Sequence, residues 1–138
     1  MRNLMLMVFV ILVIGCVPGA VCFKNYELNE TMKATVGSQI ISKECRLGDK
    51  STTTELLYGG VANDIIKVSY REYSNKIARP AFYQELQYDL KQSKTILYKN
   101  TKIQILSATN EALTYRILYS PEATEFQGHK AEWKTIDR

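Results

Sequence analysis

The chain opens with an unbroken apolar run over residues 4–15, behind one early positive charge, Arg2, and from Asn25 onward its apolar residues recur at every second position between short polar breaks. The first pattern has the length of a signal-peptide core and is too short alone to cross about 30 Å of hydrocarbon as a helix. The second predicts strands, because successive side chains of a strand point to opposite faces of a sheet.

Taken in order, residues 32–36 and 39–45 alternate around Gly37-Ser38 and read as a hairpin. A polar stretch, 46–54, leads to an apolar segment at 55–58, and Gly59-Gly60 and Asn63-Asp64 offer turns. In residues 65–73, Ile66, Val68 and Tyr70 share one face and Lys67, Ser69 and Arg71 the other, as in a sheet wet on one side. Pro80 removes a backbone donor and holds Arg79 extended. Over residues 82–90, Phe82, Gln84, Leu86, Tyr88 and Leu90 alternate as in a strand, while Leu86 and Leu90 also sit at helical spacing; both readings stay open. Residues 96–98 and 101–106 form a hairpin around Lys99-Asn100, and Leu113, Tyr115, Ile117 and Tyr119 make a last strand that Pro121 stops. Residues 122–138 are polar, with Trp133 and Ile136 as isolated apolar groups, and read as a short helix or loose tail. The expected fold is mainly β, an antiparallel β-sandwich or small β-barrel of about seven strands, preceded by a signal peptide.

Length and charge narrow this further. The chain has 138 residues and a net charge of +4, so it holds one domain at most. Without residues 1–15 and their Arg2, 17 basic side chains face 14 acidic ones. A body of that size buries roughly two-thirds of its unfolded surface and needs no metal to fold. A charge of +3 spread along a domain is no basic stripe, and no nucleic-acid partner is expected.

The apolar run ends in Val13-Ile14-Gly15-Cys16, which resembles the lipobox of bacterial lipoproteins. Gly15 supplies the small side chain before the cut, and Cys16 the thiol that carries lipid. Leu is more common at the place of Val13, and Ala or Ser at that of Ile14. The resemblance implies lipidation of Cys16, such as acylation with palmitate, and anchoring in the cell envelope. Val17, where Asp would favour inner-membrane retention, implies the outer membrane, with the domain facing the periplasm. Two alternatives also export the folded part: ordinary cleavage after Ala20, and an uncleaved anchor spanning residues 4–23, although Pro18 and Gly19 weaken such a helix. The expected division is a signal peptide (1–15), a lipidated N-terminus and linker (16–28), an antiparallel β domain (29–121) and a polar C-terminal tail (122–138). With Cys16 lipidated, Cys22 and Cys45 remain. A disulfide between them suits an oxidising compartment and would contribute roughly 3 kcal/mol by loop entropy; free cysteines buried as small apolar groups are the alternative.

Tyr70-Arg71-Glu72-Tyr73, Ala78-Arg79-Pro80-Ala81-Phe82 and Tyr88-Asp89-Leu90 are similar to a YREY…ARPAF…YDL pattern in small uncharacterised bacterial lipoproteins. The likeness spans residues 55–119 and implies one contiguous domain, with no activity attached.

Catalytic chemistry finds little to work with. The one histidine, His129, lies in the polar tail, where no Ser/His/Asp or Cys/His arrangement can use it. No P-loop, GxGxxG, HExxH or CxxC pattern is present, so neither cofactor nor metal is expected. Glu72, Glu85 and Asp89 could approach one another as the paired carboxylates of glycosidase chemistry, but charges alternating along a strand read first as its solvated face. Tyr70, Arg71, Tyr73, Arg79 and Tyr83 are the candidate surface for a ligand or partner, since guanidinium forks clamp anions and rings cover sugar faces. The sequence therefore points to a non-enzymatic lipoprotein that meets the membrane through its lipid and an envelope protein or polyanionic envelope component through its β domain. A small anionic ligand or saccharide binder, or weak hydrolase, on the Arg/Tyr patch is the alternative.

Overall fold

The computed structural model describes residues 19–79 and 82–136; the apolar leader and Cys16 lie outside them, as do Pro80 and Ala81. The fold is mainly β, in the sandwich or barrel-like class, with a large sheet curled into a half-barrel and a second sheet packed on it. The strands are β1 (Ala20–Lys24), β2 (Met32–Thr35), β3 (Gln39–Leu47), β4 (Lys50–Ala62), β5 (Ile65–Ser74), β6 (Ile77–Ala78), β7 (Gln84–Asp89), β8 (Thr95–Tyr98), β9 (Thr101–Ala108), β10 (Ala112–Tyr119), β11 (Glu125–Phe126) and β12 (His129–Thr135). The large sheet runs β11-β12-β1-β3-β4-β5-β6, with β7 also on β5, and the small one runs β2-β10-β9-β8.

Turn chemistry sets much of this order. Asn63-Asp64, Asn75-Lys76, Lys99-Asn100 and Gln127-Gly128 all have positive φ at both positions, the backbone of tight two-residue hairpins. They join β4 to β5, β5 to β6, β8 to β9 and β11 to β12. The alternating faces then close a single core. Ile40, Tyr58, Ile66 and Val68 from the large sheet meet Ile96, Ile103, Leu113, Tyr115 and Ile117 from the small one. Two buried tyrosines also bond across the layers: the Tyr58 hydroxyl donates to Thr109 O at 2.5 Å, and that of Tyr115 to Ile40 O at 2.7 Å.

Several expectations are corrected. There are twelve strands among the described residues and not about seven. The linker read over 16–28 contains β1, an inner strand between β3 and β12, with Ala20 and Cys22 buried. The tail read over 122–138 contains β11 and β12, and β12 runs parallel to β1, so the sheet is not wholly antiparallel. The 32–45 hairpin is replaced by a crossing between layers: β2 pairs with β10 and β3 with β4. That crossing lets Ala34 and Ile40 enter one core from two sheets. Gly59-Gly60 is a bulge inside β4, where a Cβ on Gly59 would meet the Lys67 backbone oxygen at 3.2 Å. The open choice over residues 82–90 resolves as strand β7.

Candidate functional site

Pairing register builds the candidate site from residues that lie far apart in sequence. On the inner face of the large sheet, Ile41, Leu56 and Tyr70 stand opposite one another across β3, β4 and β5. Two residues further along the same strands the row becomes Lys24, Lys43, Thr54 and Glu72, and two further again Cys22, Cys45, Thr52 and Ser74. An apolar face thus turns polar within one residue pair. Cys22 and Cys45 are directly opposite in register, with Cα atoms 4.0 Å apart, and are joined by a disulfide that ties β1 to β3.

Residues 120–123 lie across this polar end. Lys43 Nζ donates to Pro121 O at 2.6 Å, Lys24 Nζ pairs with Glu122 at 2.6 Å, and Trp133 Nε1 donates to Ala123 O at 2.9 Å. Thr101 and Ser120 hydroxyls, both buried, share a hydrogen bond of 3.0 Å. The charges respond to their surroundings. Burial pushes the Lys43 ammonium down to about 8, with Lys24 opposite adding to the effect and Glu122 opposing it. For Lys24, burial works the same way, but its bond and charge interaction with Glu122 outweigh it and the pKa rises. Tyr26 lies beneath both ammonium groups, which stand 5.4 and 5.9 Å from its ring centre. Its hydroxyl is buried and, among the described residues, has no hydrogen bond of normal geometry, and burial raises its pKa against the opposing pull of Ser120 and Lys24.

Between Lys43 and the β8–β9 turn lies a cleft of about 120 Å³, floored by Ile41 and Leu56 and walled by Tyr70, Tyr98, Thr54 and Thr101. The two tyrosine rings tilt against each other with centres 5.2 Å apart. The Lys99-Asn100 turn swings Lys99 over them, its Nζ 4.0 Å from the Tyr70 ring centre and 5.7 Å from that of Tyr98. Burial and the Glu72 carboxylate push the Tyr70 phenol up to about 12. Burial also raises Tyr98, against the opposing charge of Lys99.

The Arg/Tyr surface forms a second recess of about 300 Å³ at the sheet edge. Strand β5 pairs with β7 through Tyr70 and with β6 from Tyr73, so Arg71 and Glu72 face a gap between the two partners. Arg79 fills one side. Its backbone N–H donates to Glu72 O at 3.0 Å, its Nη1 to Glu72 Oε1 at 2.6 Å, and its guanidinium lies 4.1 Å from the Phe82 ring centre. The other Glu72 oxygen accepts from the Tyr70 hydroxyl at 3.0 Å. Arg71 lies 5.8 Å from the ring centre of Tyr83, whose hydroxyl donates to Glu85 at 2.5 Å. The edge recess therefore gathers Arg71, Tyr73, Arg79 and Tyr83, while Tyr70 belongs to the inner face and lines the cleft instead. Lys43 and Lys99 escaped the sequence reading. Lys43 was detectable, because it shares the parity of Ile41 and Cys45 in an otherwise inward-facing strand; Lys99 looked only like a turn residue.

His129 begins β12 and lines neither recess. Among the described residues no group of three or more His, Cys, Asp or Glu could hold a metal ion, and no helix is long and apolar enough to cross a membrane. No protein-family model, curated protein or solved structure matches the chain.

Proposed function

We propose that the chain is an exported, non-enzymatic binding module, held at the periplasmic side of the outer membrane through a lipidated Cys16 and engaging an envelope protein or polyanionic envelope component. The observation that carries this reading is the Cys22–Cys45 bridge, since a structural disulfide persists in an oxidising compartment. Its position supports the anchor as well. β1 starts at Ala20, four residues beyond Cys16, so the tether reaches at most about 14 Å and keeps the stapled end of the sheet close to the lipid surface. Each acyl chain adds about 0.8 kcal/mol per buried methylene, and more than one gives stable anchoring.

The alternative, a small anionic ligand or saccharide on the Arg/Tyr surface, is weaker there because Glu72 already neutralises Arg79 within the recess. Lipidation is tested by intact mass and radiolabelled palmitate incorporation for the full-length chain and for Cys16→Ser in a bacterial host. The expected result is a mature N-terminus at Cys16 carrying label, with both lost in the variant. Equal processing of the two chains would remove the anchor from the reading.

A further inference from the structure

We infer that the cleft between the two sheets is a binding site for a small monocarboxylate with a short apolar body, held by Lys43 from below and Lys99 from above. The inference does not depend on lipidation, because every residue involved belongs to the folded domain.

Three features combine. Lys43 and Lys99 both line the cleft, and among the described residues neither has a carboxylate within 4.0 Å, whereas the neighbouring cation Lys24 and the neighbouring anion Glu72 are each matched, by Glu122 and Arg79. Lys43 has one acceptor, Pro121 O, for its three N–H donors, so it can bond a carboxylate oxygen without breaking that tie. Lys99 is exposed at the mouth of the cleft and held against two rings, which fix its position while leaving its ammonium open to an incoming anion.

Shape and lining select the ligand class. The remaining space is about four waters in volume, which suits a small molecule and excludes a saccharide ring with its hydration. Ile41, Leu56 and the Tyr98 ring offer apolar contact to a hydrocarbon body, and the Thr101 hydroxyl can donate to the head group while it accepts from Ser120. A phosphate would bring more acceptors than these cations and hydroxyls can satisfy, and it would leave the apolar floor unused. Glu55 also contributes to the rim, but its carboxylate accepts from Gln39 Nε2 at 2.6 Å.

The test titrates the full chain with butyrate, with butyramide as its uncharged isostere and with inorganic phosphate, following heat and the ¹³Cε signals of the lysines. Saturable 1:1 binding of butyrate is expected, with butyramide and phosphate far weaker and with the Lys43 and Lys99 signals moving together. Lys43→Met should weaken butyrate by at least about tenfold, as loss of a partner to a desolvated charge does. Lys99→Met should weaken it to a lesser extent. If Lys43→Met fails to fold, the lysine signals of the unaltered chain decide the matter. Butyramide binding as well as butyrate, a preference for phosphate, absence of butyrate binding, or an unmoved Lys43 signal would each overturn the assignment.

Discussion

Strands β3, β4 and β5 carry two inner-face regions of opposite character, and the contrast between them explains where binding chemistry resides. Over one stretch they present Ile40, Tyr58, Ile66 and Val68 to the small sheet and are sealed by it. Beyond Ile41, Leu56 and Tyr70 the same strands present Lys43, Thr54, Glu72 and Cys45, covered by residues 120–123 and the Lys99-Asn100 turn. The first region is held by the burial of apolar surface, a force without direction that grows with area. The second is held by one disulfide, a few oriented hydrogen bonds and paired charges. Tight packing leaves no room for a ligand, whereas the polar end keeps a recess and two cations that, among the described residues, have no carboxylate within 4.0 Å.

The largest effect should come from the sealed region. Ile103 is fully buried where both sheets meet, and Ile103→Ala removes its contacts and leaves a cavity. A loss of about 3–4 kcal/mol in unfolding free energy is expected, measured by urea denaturation. A loss below about 1 kcal/mol would mean that the small sheet is loosely docked and the contrast overstated.

How far each region could be read from sequence follows the same division. Alternation in residues 65–73 and 113–119 identified strands of the sealed region, because burying one face of a sheet imposes period two on the chain. The polar region hid its strands. β12 has few apolar residues, and β1, though mostly apolar, continues the uncharged run of the leader; both are ordered by pairing with each other, by the disulfide and by Trp133, which the local pattern does not show. The layer crossing between β2 and β3 was also hidden, since Gly37-Ser38 turns the chain equally well within a sheet or between sheets. At the candidate site, Arg71, Tyr73, Arg79 and Tyr83 were legible as a cluster and do share a recess. What was not legible was that Tyr70 turns its ring the other way and that Lys43 and Lys99 line one cleft beside it, because register within the large sheet and packing of the small sheet on it bring them there.

The next effect belongs to the polar end. The bridge between Cys22 and Cys45 closes a segment with a sequence separation of 23. Replacing both by Ala should cost about 3 kcal/mol in the loop-entropy account. The location of the loss is more informative than its size. Amide exchange should accelerate in β1, β12 and the adjoining half of β3, while β9 and β10 keep their protection. Uniform acceleration through both sheets would merge the two regions into one cooperative unit.

The smallest effect separates them by pH. In the folded chain burial places the Lys43 ammonium at about 8, against 10.5 for an unperturbed lysine, with Lys24 adding to the shift and Glu122 opposing it. Below about pH 8 the group is protonated in both states, and the full cost of burying its charge is present. Between about 8 and 10.5 the unfolded chain holds the proton that the folded chain has released, so the group makes stability rise with pH across that window. Tyr26, Tyr58, Tyr70, Tyr88 and Tyr98 act in the opposite sense above pH 10.0, where the unfolded phenols ionise before the folded ones. The useful measurement is therefore the stability of the unaltered chain minus that of Lys43→Met, because the tyrosine contribution is common to both. That difference should climb from pH 8 and level off past 10.5, following the proton of one side chain. A flat difference would mean that water reaches the ammonium freely, and the polar end would then be an open surface instead of a cleft able to hold a carboxylate against Lys43.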